Sequence, residues 1–377
     1  MTSNENHLNK EIVTIRSKIP ILKKLICFNT GMDGPIPTVS LKAINQSLEI
    51  QYKKGTFTRE GIEAVDNELS ETKQNIAAFF NTSSKNICLA SCTTSGINIA
   101  LNRFNWKSSD EIITSKGEYS SILFALYNLR EIYKVKIKLL DLDKDNPLET
   151  IKKNISGNTK LVLLSHIFYK SGICLHELKE ILGFLRKKNI ISVIDGAQSA
   201  GAVKINLSEL QPDFFSAPGQ KWLLGPIGTG FLYVNEQWWP PASGFSLNWK
   251  PRNDANLFEF GGLNCSLFSG LSTSITFLKD SLEKINIYKQ VYKLSEYLRE
   301  QLNDNKNIRV ITSKYHGGII SWQHKTIPSS VIVQKLWKKR MVIREIAELN
   351  LCRTSVHFFN TKDEIDLLVD FVNSITS

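Results

Sequence analysis

From about residue 60 to 235 the chain alternates short apolar runs with amphipathic ones. Ile87–Ala90, Glu111–Thr114, Val135–Leu140, Lys160–Ser165, Ile191–Ile194, Phe214–Phe215 and Gly230–Val234 are rich in branched and aromatic residues, which predicts buried strands. Between them Ile97–Phe104, Ser120–Ile132 and His176–Lys188 follow a helical repeat; in the last, Leu178, Ile181, Leu182 and Leu185 share one face. Strand and helix in repeated alternation predict an α/β domain with a mainly parallel sheet covered on both faces.

After about residue 240 the texture changes. A Trp/Pro/Gly/Asn-rich passage, Trp238–Asp254, leads into helical runs at Ser269–Leu282 and Ile285–Leu302, followed by mixed strand and helix. This predicts a second, smaller α+β domain at the C-terminal end, a division that suits 377 residues. With 42% hydrophobic and 22% charged residues, the composition excludes a disordered or fibrous chain. The net charge of +11 comes from lysines spread along the length, and the densest cluster, Lys335–Arg340, reads as the solvated face of one helix. Without an arginine-rich arm, zinc finger or helix-turn-helix, that charge does not point to nucleic acid. Cys27, Cys88, Cys92, Cys174, Cys265 and Cys352 form no CxxC pair and have no histidine at metal spacing. The start, Met1–Lys18, lacks an apolar signal core, and stretches such as Leu161–Leu164 are far too short to span a membrane. The expectation is a soluble cytoplasmic protein with reduced thiols, no metal site, and neither a membrane nor a nucleic-acid partner.

Four features carry candidate chemistry. Ile191–Asp195 places a carboxylate at the C-terminal end of a strand, where open α/β sheets bind ligands, or where an acidic residue caps the next helix. Lys221 lies between a strand and the glycine-rich stretch Gly225–Gly230, where it can meet a bound aldehyde or simply face solvent. Thr93-Thr94-Ser95-Gly96 opens a helix, and its hydroxyls and free N–H groups suit an anion or an ordinary N-cap. Arg353 can clamp a carboxylate or serve a structural ion pair. Together, an anion seat, a strand-end carboxylate and a later lysine fit pyridoxal 5′-phosphate (PLP).

The order and spacing of these pieces resemble the class V aminotransferase family of PLP enzymes of fold type I, which includes the cysteine desulfurases. The likeness runs from Phe28-Asn-Thr-Gly-Met-Asp-Gly-Pro-Ile-Pro37 through Asp195-Gly-Ala-Gln198 and Gly219-Gln-Lys221-Trp…Gly225-Pro-Ile-Gly-Thr-Gly230 to Arg353-Thr-Ser-Val-His357. It implies a large domain with a mainly parallel seven-stranded sheet over residues 21–255, and a small domain from 1–20 and 256–377. It also implies a homodimer. Lys221 would be the Schiff-base lysine and move the Cα proton, and Asp195 would pair with the pyridine nitrogen. Gln198 would bond the phenolic oxygen, and Thr94, Ser95 and Gly96 would seat the phosphate. Tyr119 stands where the family stacks a histidine. Arg353, with Asn29 and His357, would bind the amino-acid substrate. Departures accompany this: Pro218 replaces a hydroxyl residue, Gln220 a His or Arg, Gly262 a Thr or Ser that reaches the neighbouring subunit's phosphate, and Lys170 an Asn.

A desulfurase needs a mobile cysteine nucleophile. The matching position here is Phe358; Cys352 precedes Arg353, and the surroundings of Cys265 match no desulfurase loop. The segments at 28–31 and 353–366 are most similar to the cysteine/cystine C–S lyase branch. The resemblance therefore implies a β-elimination giving pyruvate, ammonia and a sulfur product. An aminotransferase, an isopenicillin-N epimerase-like enzyme, a desulfurase and a non-catalytic binding protein remain alternatives.

Overall fold

A computed structural model describes residues 3–143, 146–239, 254–259 and 261–375. Most of the Trp/Pro/Gly/Asn-rich passage, residues 240–253, lies outside them. Thirteen strands are present among the described residues: β1 (Ile26–Cys27), β2 (Ile87–Ala90), β3 (Glu111–Ser115), β4 (Lys136–Leu140), β5 (Thr159–Ser165), β6 (Ile191–Asp195), β7 (Phe214–Pro218), β8 (Gly230–Val234), β9 (Ile308–Val310), β10 (Ile319–His324), β11 (Met341–Val342), β12 (Arg344–Ile346) and β13 (Leu351–Ser355). They form a seven-stranded sheet in the order β2-β8-β7-β6-β5-β3-β4 and a four-stranded sheet in the order β12-β13-β10-β9. β1 pairs with β11.

In the large sheet β4, β3, β5, β6 and β7 run parallel, and β8 is antiparallel to both β7 and β2. The continuous apolar runs follow from burial on both faces. Ile113, Val162, Leu164, Ile194, Phe215 and Phe231 point to one face, against Leu178, Ile181, Leu182 and Leu185 of the helix Leu178–Lys187. Their chain neighbours Ile112, Leu161, Leu163, Val193, Phe214 and Leu232 point to the other, against the helices Thr93–Leu101 and Ser120–Tyr133. The parallel strands end together, so Ser115, Ser165 and Asp195 open onto one sheet edge.

The helix Thr93–Leu101 starts four residues before the apolar run that signals it, because Thr93, Thr94 and Ser95 make its first turn. The long helices Thr38–Lys54 and Arg59–Phe79 lie outside the elements expected from the sequence. The first buries Ser40 and Ser47 and leaves Leu41, Leu48 and Tyr52 exposed. Small residues let it approach the helix Cys265–Lys284 closely: Ser40 Oγ lies 2.7 Å from Ser274 Oγ. Phe268, Leu271, Ile275 and Leu278 of that later helix join the large-sheet core, whereas Leu294, Leu298 and Leu302 join the core of the small sheet. We propose the division at 255/256, with the helix Cys265–Lys284 packing back onto the large-sheet core, which also takes in Ile287, Val291 and Ile319.

Candidate active site

The connection from β7 to β8 carries Lys221. Gly219 N–H donates to the Thr229 carbonyl at 2.7 Å, and Gly225 N–H to the Gly219 carbonyl at 2.8 Å, which fold the segment into a compact loop at the sheet edge. The early segment Phe28–Pro37 presses on this loop: Gly34 N–H donates to the Gln220 carbonyl at 2.6 Å, and a Cβ at Gly34 would stand 2.2 Å from the Lys221 carbonyl oxygen.

Lys221, Asp195, Gln198, Thr94, Tyr119, Gln220, Pro218 and Arg353 line one cavity of about 480 Å³, a size that suits a small-molecule ligand. The Lys221 ammonium lies 5.9 Å from the centre of the Tyr119 ring. Burial draws it down to about 8, against the opposing charge of Asp195 and with that of Arg353. Burial raises the Asp195 carboxyl, while the Ala197 N–H at 2.7 Å and Lys221 favour its charged form. Gln198 Nε2 donates to the Gly31 carbonyl at 2.8 Å and its Oε1 accepts from Trp222 Nε1 at 3.0 Å, which leaves one amide hydrogen. Arg353, on β13, is 4% exposed; its Nη1 donates to the Tyr169 carbonyl at 3.2 Å and its Nε has no partner. Burial and the neighbouring Arg344 draw it down to about 10.

The other expected residues lie elsewhere. Ser95 and Gly96 sit just behind the lining. Ser95 Oγ donates to the Cys92 carbonyl at 2.8 Å, and a Cβ on Gly96 would meet Ser216 Oγ at 2.2 Å. Asn29 is absent from the lining, its Oδ1 buried without a partner. His357 is fully buried away from the cavity: Nδ1 accepts from Phe358 N–H at 2.8 Å, so Nε2 donates to the Trp222 carbonyl at 3.1 Å. Burial drives its pKa to about 3, and the neutral ring braces the residue next to Lys221. Gly262 borders a second cavity with Asn67, Lys73 and Glu259. Lys170 turns to Glu348, 3.1 Å away.

The lining residues given no role by the motif reading include Asp33, Cys92, Ser165, Tyr169, Arg344, Glu345 and Glu348. Asp33 and Cys92 lie inside or beside quoted motifs, so spacing from Lys221 could have flagged them. Tyr169, Arg344 and Glu348 arrive from loops and the small sheet, with no local signal. Tyr169 and Tyr119 meet edge to face, 5.0 Å apart.

The residues present fit PLP. The helix Thr93–Leu101 starts at the cavity wall, Thr93 Oγ1 and Gln220 Oε1 are buried without partners, and Lys221, Asp195 and Arg353 stand around one space. Comparison with known proteins agrees. The model of the family Aminotransferase class-V matches residues 35–368. A probable cysteine desulfurase of Methanothermobacter thermautotrophicus is 23% identical, over 96% of this chain and 97% of that protein. The isopenicillin N epimerase of Streptomyces clavuligerus is 22% identical, over 96% and 97%. Among solved structures, the complex between the cystine C–S lyase C-DES and its reaction product cysteine persulfide superimposes with a TM-score of 0.89, at 23% identity over 95% of this chain and 100% of that one. The cysteine desulfurase from Thermococcus onnurineus gives 0.84, at 22% identity over 95% and 96%. Family match, shared fold and the lysine-centred cavity together establish that the chain belongs to the class V aminotransferase family and is a PLP-dependent enzyme.

Proposed function

We propose that the enzyme is a C–S lyase that removes sulfur from Cβ of a cysteine- or cystine-type amino acid, leaving pyruvate, ammonia and a sulfur product. The observation that carries this reading is a lysine–aspartate–arginine cavity without a thiol where a desulfurase would hold one. Phe358, in that place, is fully buried and packs edge to face on His357 and Phe359. Cys352 is buried in the small-sheet core, and the Cys265 thiol donates to Glu68 at 2.9 Å, with burial raising its pKa to about 12.

When bound, PLP supplies an electron sink for the charge left at Cα. The chain supplies the rest. Arg353 offers its fork to the α-carboxylate, since its Nε is unpartnered in a buried place. Lys221, brought to about 8 by burial, has a neutral fraction near physiological pH that can take the Cα proton and pass a proton on to the departing sulfur or to Cβ. Asp195 would hold the ring nitrogen's proton, and the remaining Gln198 N–H is available to the ring oxygen. The Tyr119–Tyr169 pair walls the cavity as stacking surface, without an imidazole's acid/base capacity.

One observation favours a second reading. Cys92 lines the cavity that holds Lys221. It could accept sulfur in place of the missing loop cysteine, making the enzyme a desulfurase that leaves alanine.

Product analysis with cysteine and cystine decides. Pyruvate without alanine, lost by about 10²–10⁴-fold in Lys221→Ala, is the expected result. Alanine that disappears in Cys92→Ser would replace the lyase reading by the desulfurase one.

The resemblance also implies a homodimer, which the exposed apolar side chains Leu41, Leu48, Tyr52, Phe57 and Ile227 support.

A further inference from the structure

Glu118 stands at the exit of β3, one residue before Tyr119, and is 1% exposed. It does not line the cavity but lies behind Ser165, which does. Its Oε1 accepts the Ser165 N–H at 2.8 Å, and its Oε2 lies 2.5 Å from Ser165 Oγ. Ser165 ends β5 and stands opposite Asp195 in the register with β6. One carboxyl thus ties the exit of β3 to the end of β5, beside the carboxylate that ends β6.

Two buried carboxyls share this corner, and two like charges that close and that dry cannot both persist cheaply. Lys221 acts on Asp195 and so favours the charge there. Burial raises Glu118 to about 8 despite its bonds to Ser165, and the charge of Asp195 adds to the rise. The other titratable neighbour, His166 next to Ser165, is held neutral by burial, at about 4. Asp33 and Arg353, which line the same cavity, act on Lys221.

A proton on Glu118 has one productive position. Oε1 is already accepting from Ser165 N–H, so the acid hydrogen belongs on Oε2 and donates to Ser165 Oγ. A serine oxygen that accepts there turns its own hydrogen elsewhere, toward the cavity. With Glu118 ionised, Ser165 would instead donate to Oε2 and offer the cavity only lone pairs.

We propose that Glu118 is a positioning residue which, through Ser165, presents a hydroxyl donor to the cavity and leaves Asp195 as the anion of that sheet edge. Only the consequence for the cofactor rests on the PLP reading; the proton on Glu118 is a property of the protein without it.

The test compares wild type with Glu118→Gln, which keeps both contacts and the donor direction but cannot titrate, and with Ser165→Ala. Without PLP, melting temperature is followed as pH rises from the carboxylate range to above 8. The native state holds a proton that the unfolded state has released, so wild type should fall steadily relative to Glu118→Gln up to about pH 8 and run parallel above it. Parallel curves throughout would overturn the proposal. PLP is then titrated by its visible band. Wild type should lose affinity as pH passes about 8, Glu118→Gln should not, and Ser165→Ala should be weak at every pH. Unchanged affinity in Ser165→Ala would overturn the donor role. No band in wild type at any pH would sink the PLP reading, while the melting curves would still decide where the proton sits.

Discussion

Burial acts on Lys221 and Arg353 alike, drawing one to about 8 and the other to about 10. The two have different uses for it. A lysine near neutrality can exchange a proton, whereas an arginine at 10 stays charged and gains from being dry and unpaired. Arg353→Ala removes a charge-assisted pair worth about 1.5–3 kcal/mol, so KM for the amino acid should rise roughly 10- to 150-fold with a smaller change in kcat. Arg353→Lys keeps the charge but loses the planar fork, and should recover only part of the affinity. Steady-state kinetics check both, and an unchanged KM in the alanine variant would remove Arg353 from substrate binding. At this scale the resemblance already pointed to Lys221, Asp195, Gln198 and Arg353, and the structure brings all four to one cavity. His357 was in the same motif and went elsewhere: its ring is enclosed by Trp222, Phe358 and Phe359 and braces the lysine loop from behind.

The elements hold the site through close approaches that glycine alone permits. The helix Thr93–Leu101 sits so near β7 that Gly96→Ala would press a methyl onto Ser216 Oγ, 2.2 Å away. Overpacking of this kind costs about 1–3 kcal/mol. The expected result is a lower melting temperature together with weaker PLP binding, since the same helix start is the anion seat we propose. Gly183 is the contrasting case. It lies inside the helix Leu178–Lys187 with nothing within 4 Å of a built Cβ. Gly183→Ala should therefore stabilise the protein by about 0.5–1 kcal/mol through helix propensity, without affecting the cavity. Thermal melts with PLP titrations separate the two, and equal effects would contradict this account of the helix packing.

At the scale of the whole molecule, the apolar side chains that the single chain leaves outside are concentrated in the first third. Leu41, Leu48 and Tyr52 share one stripe of the helix Thr38–Lys54, Phe57 follows the turn, and Tyr52 and Phe57 are 89% and 88% exposed. A second copy is the partner we propose for this stripe. Gly262 and its neighbouring cavity fit the same picture, since Gly262 is remote from the Lys221 cavity of its own chain. Light scattering should find a dimer in wild type, and Leu48→Glu with Tyr52→Glu should give a folded monomer. A double variant that stays dimeric would place the interface elsewhere.

What the sequence determined by itself is what local physics can encode. Apolar runs long enough to be buried on both faces identified the strands of the large sheet, and motifs at their ends, read through the family resemblance, singled out the lysine, the aspartate and the helix start proposed to seat an anion. The helix Thr38–Lys54 was not legible, because it buries serines and turns its leucines away from the core of its own chain. Tertiary structure alone decided which charges share the cavity. Asp33 arrives from the segment after β1, Tyr169 from the loop after β5, Arg344 from the small sheet and Glu348 from the turn between β12 and β13. It also decided that Glu118, an unremarked residue before Tyr119, lies behind Ser165 and beside Asp195. No spacing rule relates those positions, because the contact is made by three strands meeting at one edge, and the proton it holds depends on how dry that edge becomes when the chain closes over it.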